Sequence, residues 1–361
     1  MRAILGLLLI IISQTFFSQN NANTPKYSNE FLNIGVGARA LGMSNSIIAS
    51  SDDVTAGFWN PTGLCSIESD MQIGLMHAEY FAGIAKYDYG GIAKKIDSSS
   101  AFGVSFIRFG VDNIPNTTDL IDAQGNINYD RISYFSAADM AFLFSYAKKL
   151  KSGLRLGGTA KVIHRKVGDF AQSWGFGVDF SAAYHYNSWR FAAIARDVTS
   201  TFNAWSYNLS EEMIETFLIT DNEIPENSIE ITMPRLILAV SKQFSFGDKF
   251  SLLTEINTDI TTDGMRNVLI SSAPFSIDPH MGVELNYRNI IFIRGGVGNI
   301  QKVTEITGKR VTTIQPNIGL GIQIKGIAID YALTDIGDAS VALYSNVFSL
   351  RFNLNPKNKI P

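Results

Sequence analysis

Residues Pro316 to Lys325, PNIGLGIQIK, decide the fold. Ile318, Leu320, Ile322 and Ile324 fall on one side of an extended backbone, with Asn317, Gly319, Gly321, Gln323 and Lys325 on the other. A period of two over that length predicts a β-strand with one apolar and one polar face. The pattern recurs in both directions. In the last such segment Ala342, Tyr344, Phe348, Leu350, Phe352 and Leu354 oppose Ser345, Ser349, Arg351 and Asn353. Upstream, Phe250, Leu252 and Ile256 oppose Glu255, Asn257 and Asp259. From Asp70 onward there are about fourteen segments of about ten residues each, the signature of strands that cross an outer membrane. The segment Glu230 to Phe244 alternates poorly and carries Pro234, which predicts a bulge or weak lipid contact there.

The connections keep a rhythm. Counting from a first strand at Met71 to Tyr80, even-numbered strands end in tight turns: Asp97 to Ser100, Lys149 to Gly153, Asn187-Ser188, Phe246 to Asp248, Arg288-Asn289 and Lys325-Gly326. Odd-numbered strands end in longer links: 81–85, 111–135, 168–172, 200–228, 261–277, 300–311 and 336–340. Short turns at one end and long loops at the other distinguish a bacterial outer-membrane barrel and put both termini in the periplasm. A soluble β-sandwich with one wet face would alternate in the same way. The loop rhythm and the N-terminus separate the two.

That N-terminus has Arg2, the apolar run Ala3 to Ile12, and Ser18-Gln19 as a cleavage point, the layout of a secretory signal peptide. The run is too short for a membrane-spanning helix, which needs about 20 apolar residues. Charged residues make up 17% of the chain and aromatics 11%, with 30 glycines, a balance that suits a membrane barrel. A net charge of −3 without a basic cluster argues against nucleic acid as a partner. The single cysteine, Cys65, excludes an internal disulfide and reads as a small buried side chain.

Between leader and strands, Phe31 to Leu64 fits neither pattern. It is rich in small residues, suggests one or two helical turns, and ends in the Asn-Pro-x-Gly turn Asn60 to Gly63. It can hardly form a core alone, so it is expected inside or under the barrel. Its pattern, Phe31-Leu32-x-Ile34-Gly35-x-Gly37-Ala38-Arg39-Ala40-x-Gly42-Met43, then Asp52-Asp53 and Trp59-Asn60-Pro61-x-Gly63-Leu64, resembles the N-terminus of the PorV/PorQ family. These are Bacteroidetes outer-membrane proteins of the type IX secretion system, among the wider FadL-like barrels. The stretches Ile114 to Thr118 and Tyr129 to Arg131 are also similar. The chain looks closer to a PorV-like paralogue than to PorV itself.

The resemblance implies a fourteen-stranded barrel with an N-terminal hatch. Gly37, Ala38, Arg39, Gly42, Trp59, Asn60, Pro61 and Gly63 would form the hatch motif, in which Thr62 replaces the family's Ala. It also implies a non-enzymatic role with the type IX translocon or secreted cargo, and it brings no catalytic residues.

His77, His164, His185 and His280 lack metal-ligand spacing, and His185 with Ser188 straddles a turn at the wrong end for hydrolase chemistry. Asp122, Asn126, Asn128 and Asp130 place oxygens at alternate positions, as a calcium loop or a Gly-turned hairpin would. The link 200–230 carries Glu211, Glu212, Glu215, Asp221, Glu223, Glu226 and Glu230 without a basic residue. Within it Asn208 or Ser210 can cap a helix whose Met213, Ile214, Phe217 and Leu218 share a face, which reads as a partner-docking lid or as a solvated acidic loop. Glu255, Asp259, Glu284 and Arg294 are lumen candidates that pair across the interior or tune a pore.

The expectation is an all-β outer-membrane protein with four parts: signal peptide 1–18, hatch 19–69, antiparallel barrel 70–354 and tail 355–361. It needs no cofactor. It works in type IX secretion or cargo attachment, or alternatively as a FadL-like channel for hydrophobic small molecules.

Overall fold

The computed structural model describes residues 27–117, 120, 126–304, 308–334 and 345–354. The expected leader and tail, Thr118, Asp122, Ala342, Tyr344 and the link 336–340 lie outside the described residues. Sixteen strand segments make one antiparallel sheet: β1 (Met71–Tyr80), β2 (Ala85–Lys95), β3 (Ser100–Asn116), β4 (Ser133–Lys149), β5 (Arg155–Val167), β6 (Ala171–Tyr186), β7 (Trp189–Arg196), β8 (Phe202–Tyr207), β9 (Ser228–Ile231), β10 (Arg235–Phe246), β11 (Phe250–Thr261), β12 (Ser276–Tyr287), β13 (Ile291–Thr304), β14 (Arg310–Ile324), β15 (Ile327–Thr334) and β16 (Ser345–Leu354).

Fourteen of these close on themselves. Strands β1 to β7 and β10 to β16 pair in that order, and β16 returns to β1 in a register running from Met71↔Leu354 to Glu79↔Asn346. Closure pairs every strand on both sides, which is what lets a sheet sit in hydrocarbon.

The two remaining segments belong to interrupted strands. β7 pairs with residues 180–186 of β6, while β8 pairs with residues 171–176 of the same strand. β7 and β8 are therefore one strand broken at 197–201, and their partners β10 and β9 are one strand broken at 232–234. Pro234 has no N–H to give to the ladder, so the segment expected to bulge breaks outright. The link 200–228 is correspondingly less of a loop than its composition indicates. It holds β8 and a helix, Glu211–Ile219.

The turns 96–99, 150–154, 187–188, 247–249, 288–290 and 325–326 gather at one end. At the last of them Lys325 and Gly326 take φ of 49° and 85°, a two-residue hairpin turn in which glycine costs no strain. The other end, the loop end, carries 117–132, 197–234 and 262–275, but also the short links 81–84 and 168–170. There β3 and β4 run past the expected link to Asn116 and from Ser133, and β13 and β14 extend to Thr304 and from Arg310. Main-chain pairing needs no apolar face, so the ladder continues where the lipid pattern stops.

Outward positions are apolar on β14, with Ile318, Leu320, Ile322 and Ile324, and on β16, with Phe348 and Leu350. On β6, Trp174 near the loop end and Tyr184 and Tyr186 near the turn end bracket Phe176 and Phe180, an aromatic-girdle arrangement.

Residues 28–69 fill the interior through a 3₁₀ turn at Glu30–Asn33, helices α1 (Ala38–Gly42) and α2 (Ala56–Trp59), and a second 3₁₀ turn at Pro61–Ser66. Val36, Ile47, Ile48, Phe58 and Trp59 pack with inward Tyr87, Ile107, Leu143, Ile163 and Ile194. Val54, Ala56, Leu64 and Ile67 pack with Ala93, Ala101 and Ala147. The wall is smooth where this plug runs closest. A Cβ on Gly42 would lie 2.9 Å from Gly319 Cα, and one on Gly282 would lie 2.6 Å from the Met43 carbonyl oxygen. Glycine at these places is what allows backbone to meet backbone.

Candidate functional site: the plug and the cavity above it

The motif residues each hold part of the plug. Trp59 Nε1 donates to the Val36 carbonyl at 2.8 Å, and Asn60 Nδ2 donates to the Ile48 carbonyl at 2.8 Å. Asn60 Oδ1 accepts from the Thr62 amide at 3.1 Å and from its hydroxyl at 2.8 Å, so the Thr62 hydroxyl strengthens the cap on the turn that Pro61 begins. Gly63 packs against Ser51, and Gly37, at φ 90°, donates its amide to Met76 Sδ at 2.9 Å. The Ala38 amide donates to Ser349 Oγ at 2.7 Å.

Arg39 binds the plug to the wall. Its Nε and Nη2 donate to the two oxygens of Glu284 at 2.9 and 3.1 Å, and Nη1 donates to Asp52 at 2.7 Å. Arg294 donates to the same Glu284 at 2.6 Å and to Asp330 at 2.7 Å. Arg351 reaches from β16 to Asp53 at 2.5 Å. Burial would raise the Asp53 pKa, but Arg351, Arg39 and Thr55 together hold it below the usual carboxylate range.

Above the plug, at the loop end, lies a cavity of about 760 Å³. Leu32, Ile34, Leu41, Ile48 and Trp59 supply its apolar floor, and Tyr80, Phe109 and Ile237 line it from the wall. Its polar members include Arg196, Arg235, Asp259 and His280. Arg196 is 5% exposed, stacks on Phe58 and Trp59 at 5.0 and 5.8 Å to the ring centroids, and donates through Nη2 to the carbonyls of both. Its Nε meets no acceptor among the described residues.

One wall of this region is the double strand break. Asp197, at the end of β7, accepts from Lys161 and from Thr201 Oγ1, and Lys161 also binds Asp179 at 2.7 Å. The first plug residues close the gap. Asn29 donates to Thr232 Oγ1 at 2.8 Å and accepts from Asn203 Nδ2 at 3.0 Å, and the Thr232 hydroxyl donates to Ser28 Oγ at 2.8 Å.

The four lumen candidates all point inward. Glu284 and Arg294 are paired, whereas Glu255 and Asp259 are separate: Asp259 faces Arg235 at 3.5 Å and His280 at 3.4 Å, and Glu255 accepts from the Ala49 amide at 2.7 Å. His185 and Ser188 make no hydrogen bond to each other among the described residues, but a different pair does meet. Ser46 Oγ lies 3.0 Å from His280 Nδ1. Ser46 is completely buried against the wall, and the contact seats the plug. His77 pairs outward with Asp88 at 2.7 Å, and His164 stacks on Trp174 at 4.3 Å.

Of the calcium candidates, Asn128 Oδ1 is spent on the Asp130 amide at 3.0 Å, and Asp122 lies outside the described residues. In the acidic excursion Ser210 Oγ caps Glu211–Ile219 by accepting from the Met213 amide at 3.2 Å. Met213, Ile214 and Phe217 are half-buried, while Leu218 and Ile219 are exposed. Arg196, Lys161 and the Ser46–His280 contact escape sequence reading, because no local spacing distinguishes them from surface charges.

No protein-family model matches the sequence, and no curated protein matches it. Among solved structures, the chain is similar to the CymD monoaromatic hydrocarbon channel, with 12% identity over 90% of this chain and 98% of that one at a TM-score of 0.55. It is similar to the Ralstonia pickettii toluene transporter TbuX, with 14% identity over 89% and 99% at 0.54. It is also similar to the P. putida toluene transporter TodX, with 12% identity over 89% and 99% at 0.54. At those identities the likeness is one of fold, and the chain therefore has a FadL-like outer-membrane barrel fold, closed by fourteen antiparallel strands around an N-terminal plug.

Proposed function

We propose that this chain is an outer-membrane channel for small hydrophobic molecules, with its loop end outside the cell and both termini in the periplasm. The cavity above the plug carries the reading. Its volume lies within the roughly 300–1,000 Å³ usual for small-molecule pockets, and aromatic and aliphatic side chains lie beside a few fixed polar groups. Solved barrels of this fold include toluene transporters and a monoaromatic hydrocarbon channel, which supports the same class of substrate. The break at 197–201 and 232–234, where plug residues Ser28 and Asn29 bond to Thr232, offers such a molecule a way toward the bilayer. Equilibrium binding of naphthalene or toluene to the purified barrel tests this. Ile34→Asp, on the cavity floor, should weaken binding by about tenfold or more. Unchanged binding in that variant, or none in the native barrel, rejects the channel.

A second reading, a partner in type IX secretion, has one observation of its own. The helix Glu211–Ile219 presents exposed Leu218 and Ile219 in a link without basic residues from 197 to 234, a surface suited to a protein partner. On this reading, deleting residues 210–218 leaves barrel assembly intact and abolishes co-purification of translocon or cargo. Unchanged co-purification rejects it.

A further inference from the structure

We infer that the seam between the plug and strands β10–β12 binds a small monovalent cation against Glu255. This side chain points inward from β11 and is 1% exposed. Oε1 accepts the Ala49 amide at 2.7 Å, while Oε2 completes no hydrogen bond among the described residues, the Ser50 hydroxyl being the donor beside the carboxylate. A carboxylate shut away from water must be neutralised, either by a proton or by a counter-ion. Arg39 and His280 act on it through space, but neither touches it. Arg39 is committed to Glu284 and Asp52, and His280 to Ser46 and Asp259.

The surroundings are rich in oxygen. Ser241 is the cross-strand partner of Glu255, and Asn257 lies two residues along the same face. Both are buried, at 1% and 0% exposure. Asn257 spends its amide N–H on the Asn45 carbonyl at 3.2 Å, which fixes its orientation and leaves Oδ1 as the free end. That oxygen and Ser241 Oγ meet no partner among the described residues, and the Ser50 hydroxyl lies alongside the carboxylate. A proton on Glu255 would satisfy one of these acceptors. A cation satisfies several together.

One carboxylate among neutral oxygens balances one positive charge. Calcium takes about six to eight oxygens, usually with more carboxylate, and does not fit. Bound here, the ion would pin plug segment 45–50 to the wall. Glu255 does not line the cavity, so the site stands whether or not the channel reading does.

The test is hydrogen exchange of residues 45–51 in the purified full-length barrel, in sodium, potassium or choline chloride at equal ionic strength. Sodium or potassium at about ten times its Kd should slow exchange by about tenfold relative to choline. Glu255→Gln, which keeps the shape, should remove the difference while heat-modifiable migration reports an intact barrel. Asn257→Leu is the second variant, expected to weaken the effect should Glu255→Gln fail to assemble. Equal exchange in all three salts means a proton neutralises Glu255 and overturns the proposal. A cation effect that survives both variants also overturns it.

Discussion

Asp53 sits where the plug, α1 and β16 meet, between Arg351 at 2.5 Å and Arg39 at 3.9 Å. Its folded pKa lies below the unfolded value of about 4. The stabilisation it gives is therefore complete above that unfolded value and is lost as pH falls through the folded one. Plug residues 52–55 should lose exchange protection on acidification below about pH 4, after correction for the intrinsic rate, and Asp53→Asn should flatten that part of the profile. A profile identical in the variant would remove Asp53 from the account. The sequence marked Asp52-Asp53 as part of a pattern. It could not name Arg351 as the partner, because the two residues lie 298 positions apart and meet only once the barrel has closed.

At the scale of elements, strand character was readable because lipid and lumen impose opposite demands on alternate residues. β14 is the clearest case, with four aliphatic side chains outward and Asn317, which donates to Ser44 Oγ at 2.6 Å, inward. Leu320→Arg should cost about 2–4 kcal/mol of folding stability if its position is near the bilayer midplane, measured by denaturant titration in liposomes. A cost near zero would mean that this face does not meet hydrocarbon. Pro234 signalled irregularity, and a break is what stands there. β8 was not readable, since Phe202 to Tyr207 follows polar residues in a link of loop composition, and it is ordered by pairing with residues 171–176 of β6 and with β9. The plug helices were legible as short helical turns but not in number, because segments of four or five residues are set by the wall they rest on.

For the whole molecule, the question is whether the plug moves. It is held by ionic contacts to β12 and β16, by polar contacts to β11 and β14, and by glycine-smoothed backbone contact to β12 and β14. Cross-linking cysteines introduced as Ser44→Cys and Asn317→Cys, in a Cys65→Ser background, fixes it to the wall. If passage requires plug movement, ligand binding in the cavity should persist while transfer across the membrane falls to background. Transfer that continues in the locked barrel would mean the route bypasses the plug.

The Arg39–Glu284 and Ala38–Ser349 contacts span 245 and 311 residues of chain. Contacts of such separation form late, since the intervening loop must be ordered before they repay its entropy. The plug is synthesised ahead of every strand, yet its sockets on β12 and β16 exist only after nearly all the others have been laid down. A wall completed before the plug seats would be an open pore. Whatever escorts this chain into the membrane has to close the seam between β1 and β16 around a plug that is still searching for its place.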